Sequence, residues 1–184
     1  GDFGEVLVCD WGMGKVLGEP DNLEFDELLF NPDLLNNMTL SGHIKGTPGY
    51  MAPEQIKPGM DKDERTDVFA LGCILLTILT DRYPVSGSTE EKMKKTLAGD
   101  IGDSLKNYRE ELPQGLKAVL QKALDVSPSA RYQSVGELQR EVQKYISGYS
   151  TTAENAGIIK ELSLFWHRNK TICTTVLISL ILFI

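Results

Sequence analysis

Between positions 46 and 55 the sequence reads Gly-Thr-Pro-Gly-Tyr-Met-Ala-Pro-Glu-Gln, and no regular helix or strand can run through it. Pro48 and Pro53 each fix φ and remove a backbone donor, while Gly46 and Gly49 admit positive φ. A shaped loop is the remaining option. Its last residues, Pro53-Glu54-Gln55, suit the start of a helix, because proline is preset for the first turn and a carboxylate is favoured at the positive helix end. A shaped loop that runs into a helix can present a groove to an extended peptide.

Beyond the loop the pattern is helical. Asp67 to Leu79 is almost wholly apolar, too short to cross a bilayer at about 20 residues, and reads as a buried central helix with Thr66 or Asp67 as its N-cap. Ser88 or Thr89 caps a charged amphipathic helix that runs to about Ala98. From Pro113, residues Leu116, Val119, Leu120, Ala123 and Leu124 form one core-facing stripe. The last helix of this set carries Val135, Leu138, Val142, Tyr145 and Ile146 and ends near Gly148. Before the loop, the β-branched run Glu5 to Cys9 reads as a strand that delivers Asp10-Trp11-Gly12 at its far end. A long connection broken by Gly18, Pro20, Pro32 and Gly42 then leads to Gly46, and connections of that length are commonly functional or disordered. The expected fold class is mainly α, with a short β element at its start.

Charge narrows the function classes. The 184 residues carry a formal net charge of -7 and a pI near 4.9, which leaves no broad basic surface and argues against nucleic acid as a partner. Cys9, Cys73 and Cys173 are far apart among apolar neighbours, so they read as reduced buried thiols, with neither a disulfide frame nor a zinc site.

The motif Gly-Thr-Pro-x-Tyr-x-Ala-Pro-Glu resembles the end of the activation segment of eukaryotic-type serine/threonine protein kinases, whose signature set includes Ala-Pro-Glu. Asp67-Val68-x-x-Leu71-Gly72 is similar to the central helix of the same family. Asp10-Trp11-Gly12 is similar to its metal-binding Asp-Phe-Gly, with Trp in place of Phe. Asp2-Phe3-Gly4 is the less suitable candidate, because it precedes the strand whereas the family's aspartate follows one. The resemblance covers about residues 1 to 148 and implies the C-terminal lobe of a protein kinase-like fold that uses ATP and Mg2+ and acts on protein Ser/Thr hydroxyls. It implies that Asp10 is the metal ligand, and that Thr47, Gly49 and Tyr50 position the substrate. It further implies that Asp67 pins the catalytic loop and that Arg131 pairs with Glu54 to tie the loop to the lobe. Simpler roles stay open: a turn aspartate at Asp10, a cap at Asp67, an exposed arginine at Arg131. Thr39 and Ser41 are candidate phosphorylation sites that are equally well read as solvated loop hydroxyls.

The tail differs in character. Thr151 to Gly157 is small and polar and reads as a linker within a juxtamembrane segment, 149–170. Residues 171–184 carry no charge and follow Phe165-Trp166-His167-Arg168-Asn169-Lys170, the aromatic, basic, apolar order of a membrane-entering helix. The chain therefore resembles bacterial membrane-anchored kinases of the Pkn type, single-pass with the kinase part cytoplasmic, and the expected span is cut short. A Gly-rich phosphate loop, a strand lysine, a helix glutamate and a His-Arg-Asp catalytic loop are absent from these residues, so no catalytic residue is expected here and the chain alone is expected to be inactive. The alternative for the parent protein is a pseudokinase that serves as a binding scaffold. Oligomeric state, including a dimer, is left open.

Overall fold

In a computed structural model, residues 46–57, 59–101 and 112–183 are described. The chain divides into two units, Gly1–Thr47 and Pro48–Ile184, and every element named here belongs to the second. Its α-helices are α1 (Pro53–Ile56), α2 (Glu64–Thr80), α3 (Thr89–Ala98), α4 (Gln114–Ala123), α5 (Val135–Ile146), α6 (Ile158–Arg168) and α7 (Lys170–Leu182), with 3-10 turns at Pro128–Ala130 and Thr152–Glu154. No strand occurs among the described residues. The strand expected at Glu5 to Cys9 lies outside them, as do Asp10, Thr39 and Ser41.

The 17-residue α2 is the spine of this unit. Its cap is Asp63 rather than Thr66 or Asp67: Asp63 is extended, and its Oδ1 accepts the Arg65 N–H at 2.9 Å, which places Thr66 and Asp67 inside the first turn. Phe69, Cys73 and Leu76 pack with Ala52, Val85, Ile101, Leu120 and Leu124 on one side. On another, Val68 joins Val119, Ala123, Tyr132 and Leu138. Gly72 lets α2 and α4 approach closely: a Cβ there would stand 3.0 Å from Leu124 Cδ2 and 3.1 Å from Ala123 Cβ. The expectation that α2 is buried all round is corrected on its third side, where Asp67, Leu71, Ile74 and Ile78 are all exposed. Their spacing of three and four places them on one face.

Helix α3 starts with a reciprocal box, in which Ser88 Oγ accepts the Glu91 N–H at 3.3 Å and Glu91 Oε2 accepts the Ser88 N–H at 2.7 Å. Helix α5 is capped by Ser134, which accepts the Glu137 N–H. Only the middle of its expected stripe is in the core: Leu138 is buried and Val142 packs beside it, whereas Val135 and Ile146 are exposed.

Packing extends past residue 148. Thr151 is buried, with its hydroxyl 3.5 Å from the Gly115 carbonyl it donates to, and the Thr152 N–H donates to Glu141 Oε2 at 2.6 Å. The small polar segment expected to be a linker thus lies against α4 and α5. Helices α6 and α7 are separate, divided at Asn169, whose φ of -116° and ψ of 36° are not helical. No helix among the described residues is long and apolar enough to cross a membrane. Of the cysteines, Cys73 is buried and Cys173 is half-buried, so the expectation of burial is met only at Cys73, while Cys9 lies outside the described residues.

Candidate functional site

The loop is held from several directions. At Gly49 φ is 100°, a conformation that L side chains rarely adopt, so a side chain there would be strained even though its Cβ would only touch the Val85 carbonyl oxygen, at 3.4 Å. Tyr50 Oη lies 3.1 Å from Thr77 Oγ1. Because the Thr77 hydroxyl donates its proton to the Cys73 carbonyl, the tyrosine is the donor of that pair. Met51, Ala52 and Pro53 are buried, and the Ala52 N–H donates to Gln55 Oε1 at 2.8 Å, which fastens the first turn of α1.

Glu54 projects from α1 into the interior and meets Arg131, which follows the Pro128–Ala130 turn in extended backbone. Arg131 Nη1 donates to Glu54 Oε1 at 2.7 Å and Nη2 to Glu54 Oε2 at 2.8 Å. The remaining donors go to backbone carbonyls: Nη1 to Arg65 at 2.9 Å, Nη2 to Val126 at 3.2 Å and Nε to Asp125 at 2.7 Å. All five guanidinium N–H groups are therefore used, as burial requires. The guanidinium carbon also lies 4.8 Å from the Phe69 ring centre. Thr66 Oγ1 adds a third hydrogen bond to the carboxylate, at 3.0 Å to Oε1. Burial alone would push the Glu54 carboxyl up. The hydrogen bonds and charge of Arg131, with help from Thr66 and the backbone, outweigh it and hold the group below its ordinary value.

The arrangement ties three chain segments to one side chain: the loop through Glu54, the start of α2 through the Arg65 carbonyl, and the α4–α5 connection through Asp125 and Val126. Arg65 is itself gripped by Asp63, its Nε lying 2.9 Å from Oδ1 and 3.0 Å from Oδ2. Of the residues singled out in the sequence, Glu54 and Arg131 are brought together, and Tyr50 is tied to α2. Asp67 is exposed on α2, apart from the buried cluster, and Thr47 is also exposed. Thr66, Phe69 and Thr77 were not expected to take part. Thr66 was visible only as a potential cap, and nothing in the sequence aims its hydroxyl at Glu54. Among the described residues no group of three His, Cys, Asp or Glu side chains could hold a metal.

The sequence profile of the protein kinase domain matches residues 2–142. The chain belongs to the protein kinase family. Among its relatives, the serine/threonine-protein kinase PknD of Chlamydia felis is 35% identical over 150 residues, covering 80% of this chain and 16% of the relative. PknD of Chlamydia pneumoniae is 33% identical over 175 residues, 94% of this chain and 18% of that one. PknD of Chlamydia trachomatis serovar D is 35% identical over 154 residues, again 80% and 16%. This kinase-family chain thus spans less than a fifth of the length of the relatives it matches.

Proposed function

We propose that this chain is the C-terminal lobe of a serine/threonine protein kinase and that its part in phosphoryl transfer is to dock the protein substrate. The observation that supports this reading best is the buried Glu54–Arg131 pair, which fixes Pro48 to Gln55 as a firm edge for an extended peptide. Phosphoryl transfer depends mostly on positioning and charge stabilisation, so a rigid substrate platform is a direct contribution to rate. Gly49 and Tyr50 would shape that platform, and Thr47 would face the catalytic aspartate and lysine supplied by residues outside this sequence. Asp10 would hold the Mg2+ that bridges the phosphates of ATP; this assignment rests on the Asp10-Trp11-Gly12 motif alone. Asp67, exposed at the start of α2, is free to take the hydrogen bonds of a catalytic-loop backbone. Thr39 and Ser41 are the hydroxyls whose phosphorylation would order the segment before the loop.

The same reading places the protein at a membrane, with its kinase part on the ATP-containing cytoplasmic side. Helix α7 is apolar, and Ile172, Val176, Leu177, Ile178, Leu180, Ile181 and Leu182 are all exposed, so lipid is a fitting surrounding for it.

The test is phosphoryl transfer from labelled ATP to a Ser/Thr-containing protein by the longer protein that carries this sequence, followed by phosphoamino-acid analysis. Phosphoserine or phosphothreonine that disappears in Asp10→Asn is expected, and the 184-residue chain alone is expected to transfer none. Absence of transfer by the longer protein, with substrate binding retained, would mean a pseudokinase scaffold. Transfer by the 184-residue chain would overturn the division of labour.

A further inference from the structure

Helix α6 is turned the opposite way from an ordinary surface helix. Its charged side chains face the lobe. Lys160 Nζ lies 2.7 Å from Glu154 Oε1, Glu161 accepts from the Ser150 hydroxyl, and Arg168 Nη1 donates to the Gly148 carbonyl at 2.8 Å. The Arg168 guanidinium carbon also lies 3.7 Å from the Tyr149 ring centre. Its apolar side chains other than the half-buried Leu164 face outward: Ile159 is 86% exposed and Leu162 63%, with Ile158, Phe165 and Trp166 beside them. A surface helix in water shows the reverse arrangement, apolar stripe inward and charges outward. An apolar stripe left outside while the charged side chains turn to partners on the lobe side calls for an apolar partner.

Continuity identifies that partner. One residue beyond α6, α7 begins, and its apolar side chains are exposed around the helix rather than along one stripe. A protein partner covers one face, whereas lipid covers all of them. Trp166, His167 and Lys170, all exposed, lie at the junction, where aromatic and basic side chains suit the headgroup level. Non-helical backbone at Asn169 divides the two helices.

We propose that α6 is an interfacial helix, its outer face of Ile158, Ile159, Leu162, Phe165 and Trp166 lying in the headgroup boundary of a bilayer while its inner face stays bound to the lobe. The inference rests on the reading that α7 enters lipid. Its consequence is that the kinase lobe is held against the membrane in one orientation instead of swinging on a tether.

The experiment uses single-tryptophan forms of this chain in vesicles of phosphatidylcholine and phosphatidylglycerol that contain lipids brominated at known depths. Trp11→Phe leaves Trp166 as the probe. Adding Trp166→Phe with either Ile159→Trp or Ile178→Trp places the probe at the start of α6 or within α7. Quenching of positions 159 and 166 by shallow bromines alike, and of 178 by deep ones, is expected. Leu162→Glu, an exposed substitution that leaves the lobe core untouched, is expected to abolish quenching at 166 and preserve it at 178. Quenching at 178 alone overturns the interfacial helix and leaves α7 in lipid. Depth that increases from 159 to 166 overturns it in favour of a tilted insertion. No quenching at any position, or self-association that shields both α6 probes, overturns it as well, and the former removes the reading of α7 with it.

Discussion

Arg131 grips Glu54 through two parallel hydrogen bonds of 2.7 and 2.8 Å, although the two residues are 77 positions apart in the chain. Both side chains are excluded from solvent, and the same guanidinium closes three backbone carbonyls. Removing it would leave a buried carboxylate and three carbonyls short of a partner. Arg131→Met is therefore expected to cost about 3 to 5 kcal/mol, measured by urea denaturation of this chain. Glu54→Gln is expected to cost less, because an amide still accepts from Arg131 and the backbone bonds survive. Replacing both by Met and Leu is expected to recover only part of the loss, since the carbonyls remain unpaired.

Acid should expose the same pair. Glu54 titrates below its ordinary value of 4.5 in the folded state, and Asp63, through its hydrogen bond to Arg65, below 3.8. For such groups the unfolded chain takes up the proton first as pH falls. Their stabilisation is complete above about pH 4.5 and is lost as the pH drops through the lowered folded values. Urea midpoints measured against pH should fall below that point, and fall less steeply in Glu54→Gln.

Two tyrosines should respond differently to loss of the hydroxyl. Tyr50 donates to Thr77, so Tyr50→Phe is expected to cost about 0.5 to 1.5 kcal/mol. Tyr132 is buried with no hydrogen-bond partner for its hydroxyl among the described residues, and burial pushes its pKa up. Tyr132→Phe is expected to be neutral or mildly stabilising, as removal of an unmet polar group should be. Thermal denaturation of the two variants side by side decides this.

Cys73 offers a probe of global opening. Burial pushes its thiol up to about 12, so it holds almost no reactive thiolate at neutral pH. In a Cys9→Ser/Cys173→Ser background, alkylation of Cys73 should follow the unfolding transition. Rapid labelling of the native chain would contradict its placement in the core.

Much of the lobe was legible because its signals are local. A cap at Ser88 or Thr89, the stripe from Leu116 to Leu124 and the end of α3 near Ala98 follow from spacing and capping chemistry alone. The Glu54–Arg131 contact could not be read from spacing and came from resemblance; periodicity does not connect residues so distant. Two features escaped for a physical reason. Composition marks α2 as apolar without showing that Leu71, Ile74 and Ile78 remain uncovered, and it marks residues 151–157 as slack without showing that Thr151 finds the Gly115 carbonyl. Tertiary packing decides both.

The central claim, that Arg131 holds the loop as a substrate platform, is tested most directly by steady-state kinetics of the longer kinase and its Arg131→Met variant at a temperature where both are folded. The account predicts a marked loss of kcat/KM for the protein substrate with KM for ATP little changed. Equal kcat/KM for the protein substrate in the two forms would contradict it.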